Sequence, residues 1–158
     1  MTEQYLQIMI ESLEKKIQVM DKVIELDKRQ FDLSVLQPVD MEAYDATMDE
    51  KGLLIDELNK LDDGFTNTYE LVKNEVQTNP QKYKDKVLVM QELIRQAVEK
   101  SVTIQAQEKR NKQAIQNVFA KKRQEINRRK VSSAAATKYY KAMSRINDID
   151  PQLMDRKK

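Results

Sequence analysis

The stretch MEAYDATMDEKGLLIDELNKLDDGFTNTYELVKNEV, residues 41–76, decides the fold of this chain. Large apolar or aromatic residues recur in it at steps of three and four, and only Lys51 and Asp62 interrupt the pattern. The stripe consists of Met41, Tyr44, Met48, Ile55, Leu58, Phe65, Tyr69, Val72 and Val76. Steps that average about 3.5 residues keep one side of an α-helix turned toward a neighbouring helix. The stretch therefore predicts a surface for helix-on-helix packing.

The composition of the whole chain favours long helices over any sheet. Of its 158 residues, 34% are charged, and only 2 are glycine and 3 are proline. Hairpin turns need Gly or Asn-Gly, and parallel strands need long Val/Ile runs; the sequence has neither. We expect a single all-α domain: an elongated antiparallel bundle of three helices in up-down-up order, with an extended C-terminal helix and a tail.

Two breaks divide the predicted helices. Proline disfavours helical geometry in the residue before it, and aspartate can cap a following helix, so Pro38 and Asp40 mark the first loop. The tripeptide Thr78-Asn79-Pro80 marks the second loop. The expected helices cover about residues 2–36, 41–77 and 81–130, which places the bundle in residues 1–130 and a helical or mobile tail in residues 131–158.

The predicted first helix carries an apolar stripe that is too wide for one neighbour. One set of residues is Leu6, Ile10, Leu13, Ile17, Met20, Ile24 and Phe31, and a second set beside it is Met9, Val19, Val23, Leu26 and Leu33. A stripe of this width is expected when a helix touches two other helices. The hydroxyl of Thr2 is a candidate cap for the first turn.

The predicted third helix begins with an apolar stripe and then becomes polar. Its stripe is Tyr83, Val87, Met90, Ile94, Val98 and Ile104. Beyond Gln105, Glu108 and Asn111 occupy positions where the stripe should be apolar, although Ala114, Ile115, Val118, Phe119 and Ile126 continue it. The pattern predicts that the third helix extends past its partners from about Gln105 onward.

The tail contains the segment VSSAAATKYYKAM, residues 131–143, which has a weaker helical stripe. The stripe consists of Ala135, Tyr139, Met143 and Ile146, and no neighbour for it is evident in the sequence. Two interpretations stay open. Tyr139, Tyr140, Met143 and Ile146 form a surface for another chain, or the segment docks back onto the bundle.

The net charge of +2 conceals a strong polarity along the chain. Residues 1–80 hold 8 lysines and arginines against 18 aspartates and glutamates, whereas residues 81–158 hold 20 against 8. Folding the two halves against each other lets their fields partly cancel, which favours an intramolecular hairpin.

The residue types that are missing exclude most enzyme chemistry. The chain has no cysteine and no histidine, so it lacks thiol nucleophiles, imidazole bases and the usual zinc ligands. The acidic pairs Asp49-Glu50, Asp56-Glu57 and Asp62-Asp63 recur about every seven residues, which is typical of one solvated helix face. We expect no enzymatic activity, no cofactor and no metal site.

The N-terminus MTEQYLQIMIESLEKK does not resemble a signal peptide, and no apolar run approaches the length of a membrane span. The expected location is therefore the cytoplasm.

A basic run in the second half raises the alternative of nucleic-acid binding through phosphate contacts. It consists of Lys109, Arg110, Lys112, Lys121, Lys122, Arg123, Arg128, Arg129 and Lys130. The run contains no recognised DNA-binding motif and no interleaved aromatic residues on which bases could stack. A solvated surface opposite the acidic half is the simpler interpretation, and nucleic acid is not the expected partner.

Four segments give the chain a resemblance to the FlgN family of flagellar type III export chaperones. They are LEKKIQVMDKVIELDKRQ at 13–30, MDEKGLLIDELNKLDDGF at 48–65, SAAATKYYKAM at 133–143 and DPQLMDRKK at 150–158. The second contains the family's E-K-x-x-L-I-x-E-L pattern. The resemblance covers nearly the whole chain. This sequence departs from the family pattern by being strongly basic from Lys109 onward.

Members of that family are small cytoplasmic helical proteins that hold hook-filament junction subunits before export. The resemblance implies the same function here, with the hook-associated proteins FlgK and FlgL as clients and the tail as the binding region. The implied surface for a client or for the export gate consists of Ile115, Val118, Phe119, Ile126, Tyr139, Tyr140 and Met143.

Other functions fit the same pattern of helices. A structural coiled-coil component, such as a FliJ-like stalk of the export apparatus or a scaffold, would pack its tail permanently within the chain or form a homodimer. A FliT-like chaperone of the filament cap would share the physics of helix binding. The sequence leaves the identity of the client and the oligomeric state open.

Overall fold

The computed structural model of the chain describes residues 1–129, 134 and 136–145. Every regular element in these residues is an α-helix, which confirms the all-α prediction. The helices are α1 (Thr2–Ser34), α2 (Met41–Thr78), α3 (Lys84–Arg129) and a short helix α4 over residues 136–145. At a rise of about 1.5 Å per residue, α1, α2 and α3 are about 50, 57 and 69 Å long.

The start of α2 is capped by the side chain that the sequence predicts, whereas the start of α1 is not. Asp40 precedes α2, and its side chain accepts a hydrogen bond from the amide of Ala43 at 3.1 Å. Thr2, in contrast, already belongs to α1, and Met1 takes the cap position without a side-chain hydrogen bond. The expected Thr2 cap is therefore wrong, because Thr2 is the first residue of α1, whereas a capping residue lies immediately before the helix.

Helix α1 lies between the two other long helices. The ammonium of Lys16 contacts Asp62 of α2 at 2.6 Å, and the ammonium of Lys100 on α3 contacts Asp21 at 2.6 Å. The backbones of α2 and α3 approach α1 much more closely than they approach each other. This arrangement confirms that α1 touches two neighbours and explains the double width of its apolar stripe.

Most of the buried apolar residues form three clusters along the long helices. The first cluster consists of Leu6, Met9, Ile10, Leu13, Val72, Tyr83 and Met90. The middle cluster consists of Met20, Val23, Ala97 and Ile104. The third, which we call the end cluster, consists of Met41, Tyr44, Met48, Ile115 and Phe119. The end cluster lies where α1 ends and α2 begins.

The stripe of α3 differs from its prediction in the middle of the helix. Ile94 and Val98 were expected in the core but are exposed to solvent, and the core position between them is taken by Ala97. Buried residues of α3 follow a seven-residue repeat through Met90, Ala97 and Ile104. Each step of four residues from Met90 turns the side chain about 40° further around the helix axis. Ile94 and Val98 therefore lie outside the packed face. On α2, Tyr69 is also more exposed than its place in the stripe predicts.

Helix α3 does not leave its partners at Gln105. Asn111 is buried, and its side-chain amide donates to the backbone carbonyl of Asp27 at 2.8 Å. Ile115 and Phe119 are buried further along. The polar residues that suggested an unpartnered helix are instead polar parts of the core.

Candidate partner-binding site at the α3–α4 end

The candidate site is built on the end cluster. The Asp40 cap starts α2 in a position that turns Met41, Tyr44 and Met48 inward, because these residues follow steps of three and four. Helix α3 contributes Ile115 and Phe119 from the opposite side. Leu33 of α1, Val39 of the loop and Val118 pack around this cluster as half-buried residues. The result is an apolar surface at one end of the molecule.

Helix α4 lies over this apolar surface. Tyr139, Ala142 and Met143 pack against the end cluster, each at spacings that put them on one face of the helix. The rings of Tyr139 and Phe119 meet edge to face, with 6.1 Å between centroids and an interplanar angle of 84°. The ammonium of Lys122 lies 5.3 Å from the centroid of the Tyr139 ring.

Ion pairs with the acidic edge of α2 hold the other side of α4. The guanidinium of Arg145 contacts Asp45 at 2.6 Å and also contacts Asp49. The ammonium of Lys138 lies 3.5 Å from Glu42. The hydrogen bond to Asp49, followed by the charge of Asp45, raises the pKa of Arg145. These pairs join the basic second half of the chain to its acidic first half.

The packing between α2 and α4 is incomplete. A cleft of about 350 Å³ separates the two helices, and it is lined by Met41, Glu42, Asp45, Lys138, Lys141, Ala142 and Arg145. Interiors of proteins are normally close-packed, so an open cleft under a helix means that few atoms hold it in place. The side chains of α2 and α4 therefore leave an open cleft between them.

The structure brings five of the seven sequence-predicted site residues together. Ile115 and Phe119 are fully buried within the end cluster, and Val118, Tyr139 and Met143 pack against it as half-buried residues. Ile126 lies about two turns further along α3 as a half-buried residue, and Tyr140 points away from the cluster with 47% of its surface exposed.

The two interpretations of the tail differ in what α4 contacts. Its described residues dock on the end cluster of their own chain, which gives Met143 the intramolecular neighbour that the sequence did not reveal. Ala135 and Ile146 lie outside the described residues, as do most of residues 131–158. Two of the predicted site residues, Ile115 and Phe119, are buried, so another protein cannot reach them in this arrangement.

A layer of buried charges lies directly beside the end cluster. Lys51 of α2 is 2% exposed, and its ammonium lies 2.9 Å from Asp27 of α1. It also donates to both carboxylate oxygens of Glu108 on α3, at 2.8 and 3.0 Å. Each long helix thus contributes one ionisable side chain, and this side-chain contact links α2 directly to α3.

Protonation in this layer follows from burial and charge. Burial alone would lower the pKa of Lys51, but the charges of Glu108 and Asp27 outweigh it and raise that pKa. Burial also raises the pKa of Glu108 to about 7, against the attraction of Lys51, and the neighbouring Asp27 adds to the rise. A buried ammonium between two carboxyl groups is balanced when one carboxyl carries a proton.

Hydrogen bonds from amide side chains extend the layer and link α1 to both α2 and α3. Gln107 donates to the carbonyl of Ile24 at 3.1 Å, and Gln30 donates to the sulfur of Met48 at 3.1 Å. The layer separates the middle cluster from the end cluster. Sequence reasoning missed it, although Lys51, Glu108 and Asn111 were each noted as interruptions of an apolar stripe. The signal was that all three lie at one level once the helices are aligned.

The acidic and basic runs also make intramolecular contacts. Glu50, Glu57 and Asp62 each pair with a cation of α1. The guanidinium of Arg110 lies 4.1 Å from the centroid of the Phe31 ring. Across the described residues no group of three or more acidic side chains is placed to hold a metal ion. Lys130 is outside the part of the chain that the structure describes.

Comparisons with known proteins add no relative. No protein-family model matches the chain, and neither a curated protein nor a solved structure matches it. A membrane-crossing helix would need a long apolar run, and no helix in the described ranges has one.

Proposed function

We propose that this chain is a cytoplasmic flagellar export chaperone that binds an amphipathic helix of a hook-associated protein, such as FlgK or FlgL, before export. The long helices are proposed to form an elongated antiparallel bundle in up-down-up order that presents the binding surface. The resemblance to the FlgN family supplies the identity of the clients. The observation that carries the mode of binding is a short helix, α4, lying over an apolar surface built by two long helices.

The end cluster supports helix binding because it is already occupied by a helix. Tyr139 and Met143 are spaced by four residues and fill the apolar surface, while Lys138 and Arg145 reach the acidic edge of α2. An amphipathic helix with apolar residues at similar spacing can make the same contacts. The client helix is proposed to take the place of α4.

Replacement of α4 has a quantitative consequence for affinity. When only a fraction of the molecules is in the binding-competent form, the apparent affinity for the client equals the intrinsic affinity multiplied by that fraction. A change that weakens the docking of α4 by about 1.4 kcal/mol would raise the competent fraction, and hence the apparent affinity, by up to about tenfold. A change that weakens α4 therefore strengthens binding of the client.

The test uses a peptide with the C-terminal helix of FlgK or FlgL and isothermal titration calorimetry on the full chain. The double variant Lys138→Ala/Arg145→Ala removes the ion pairs of α4 but leaves the end cluster unchanged. We expect it to bind the peptide about three- to tenfold more tightly than the unmodified chain.

The matched control is Lys100→Ala, which removes the ion pair with Asp21 at a distance from α4. It should leave the affinity unchanged. Absence of binding to both the unmodified chain and the double variant would refute the chaperone function. Weaker binding by the double variant would instead mean that α4 itself contacts the client, so that exchange is the wrong mechanism.

The docking of α4 also favours a second candidate, a structural helical component of the FliJ-like type. In that case α4 is a permanent part of the fold, and its packing on the end cluster serves stability alone. Hydrogen exchange separates the two candidates. A structural component would protect the amides of α4 as strongly as those of α3 near Phe119, whereas a chaperone that exchanges α4 would protect them much less.

A further inference from the structure

A second apolar stripe runs along the middle of α3, on the face that the core does not use. Ile94, Val98 and Val102 follow one another at steps of four residues and are exposed by 43%, 58% and 61%. Residues four apart lie on nearly the same side of a helix. Single exposed apolar residues are ordinary, but three in a row on one face form a continuous surface.

The stripe reads nearly the same in both directions from Val98. Ile94 and Val102 each lie four residues from it, and both are β-branched. Gln91 and Gln105 each lie seven residues from it, and both are exposed. A surface of this kind is self-complementary when a second copy is turned by a two-fold axis through Val98, because each residue then meets its equivalent at the other end.

We propose that two copies of this chain associate through this face of α3, as an antiparallel pair of helices with a two-fold axis at Val98. In this pair Val98 packs against Val98 of the second copy. Ile94 of each copy packs against Val102 of the other, and the glutamines at 91 and 105 close the two ends of the apolar contact.

The charges beside the stripe fit this antiparallel arrangement. Arg95 and Glu99 lie together along one edge of the stripe, with 2.5 Å between the guanidinium and the carboxylate. A two-fold axis keeps this edge on the same side in both copies. Glu99 of the second copy then lies level with Ala97, two residues or about 3 Å along the axis from Arg95. Each Arg95 can therefore pair with Glu99 of either copy.

The area of the contact predicts a weak association. Stable complexes bury about 1,200–2,000 Å² in total, whereas one pair of helices in contact over about four turns buries less. Three apolar residues from each copy also supply only a small hydrophobic gain. We expect a concentration-dependent equilibrium between monomer and dimer, with a dissociation constant in the micromolar range.

Disulfide trapping tests the pairing because the chain contains no cysteine of its own. A disulfide needs two Cβ atoms within about 3.5–4.5 Å, so it reports the register of the helices. Val98→Cys is expected to form an intermolecular disulfide efficiently under mild oxidation. Ile94→Cys and Val102→Cys are expected to form little disulfide alone but to cross-link when the two variants are mixed.

Leu71→Cys is the matched control, because Leu71 is 68% exposed on α2 but outside the stripe. Its cross-linking gives the rate of random collisions. A Val98→Cys rate no higher than this background would overturn the proposal. Self-linking of Ile94→Cys, without cross-linking in the mixture, would indicate a parallel pair and would also overturn it.

A second measurement does not depend on disulfide chemistry. Sedimentation equilibrium should give a dimer fraction that rises with concentration for the unmodified chain and disappears for Val98→Asp. The melting temperature of Val98→Asp should stay close to that of the monomeric chain, because Val98 is not part of the core. A chain that stays monomeric at about 100 μM, or a dimer that survives Val98→Asp, contradicts the proposed interface.

Discussion

Two neighbouring regions of this molecule are held together in opposite ways. In the buried charge layer, each of the three long helices contributes one ionisable side chain, and Lys51 and Asp27 have almost no exposure. In the adjacent α4 contact, a single short helix supplies half-buried residues and ion pairs that reach solvent, such as that of Lys138. Opening the first region would expose a buried charge. The proposed exchange requires the second region to open without the first.

This difference teaches where the molecule can exchange a partner. Removing one member of a buried charge group leaves its partners uncompensated and is strongly destabilising. Removing an exposed ion pair costs about 0–1 kcal/mol. We therefore expect the charge layer to fix the alignment of the long helices, and we expect the exposed ion pairs of α4 to add little to its attachment to the end cluster.

The largest expected effect comes from Lys51→Met. This change leaves Asp27 and Glu108 buried without a cation, and we expect the free energy of unfolding to fall by about 3–5 kcal/mol. Urea denaturation followed by circular dichroism measures the loss. The matched control is Arg29→Met, which removes an exposed pair between α1 and α2 with Glu50 and should cost no more than about 1 kcal/mol.

Equal losses in these two variants would mean that the buried layer does not align the helices. The triple variant Asp27→Leu/Lys51→Met/Glu108→Leu sharpens the result. Replacing a whole buried charge group with apolar residues is often neutral or stabilising, so the triple variant should recover most of the stability lost in Lys51→Met.

The next effect compares the two aromatic rings that meet at the end cluster. Phe119→Ala should cost about 3–5 kcal/mol, because Phe119 is fully buried in the end cluster. Tyr139→Ala removes the other ring of the same pair, but from half-buried α4, and should cost about 1 kcal/mol. Denaturation of both variants measures the difference, and similar losses would show that α4 is as firmly packed as the long helices.

A smaller effect is expected from pH, through Glu108. Its pKa is raised from 4.5 to about 7 in the folded protein, so between these values the folded chain holds a proton that the unfolded chain has released. The stability due to this proton is fully present below about pH 4.5 and is lost as the pH rises through about 7. Glu108→Gln should remove this part of the dependence.

The measurement is the free energy of unfolding at several pH values for the unmodified chain and for Glu108→Gln. The difference between the two should change by about 1–3 kcal/mol from pH 4.5 to pH 7.5, with the unmodified chain losing more. Lys100→Ala, whose ion pair is at the surface, should follow the unmodified chain. Parallel curves for the unmodified chain and Glu108→Gln would mean that Glu108 titrates normally.

Much of the fold could be predicted from the sequence because long helices leave a periodic record. Pro38 and the Asp40 cap mark the start of α2 correctly, and the double stripe of α1 indicates two neighbours. The middle of α3 was predicted wrongly because Ala97 is too small to stand out. The larger Ile94 and Val98 were assigned to the core instead, although both lie on an exposed face of α3.

The site was harder to predict because its contacts join residues far apart in the chain. Tyr139 and Phe119 were both chosen from the sequence, but only the fold places one ring against the other. In the sequence, Lys51 interrupts the apolar stripe of α2 and Glu108 interrupts that of α3. Their meaning as one buried pair depends on the alignment of α2 with α3, which periodicity within a single helix does not contain.

The smallest effect tests the weak cover itself, through Arg145→Ala. Arg145 contacts Asp45 and Asp49 at the acidic edge of α2, and because such pairs are partly solvated, we expect a loss of at most about 1 kcal/mol. The loss should be local: amide hydrogen exchange should speed up several-fold within α4 but stay unchanged at the middle cluster. Arg95→Ala, which breaks ion pairs within α3 alone, should not affect α4. If Arg145→Ala instead lowers the stability of the whole chain, α4 is part of one cooperative unit with the charge layer, and the two regions are not held in different ways.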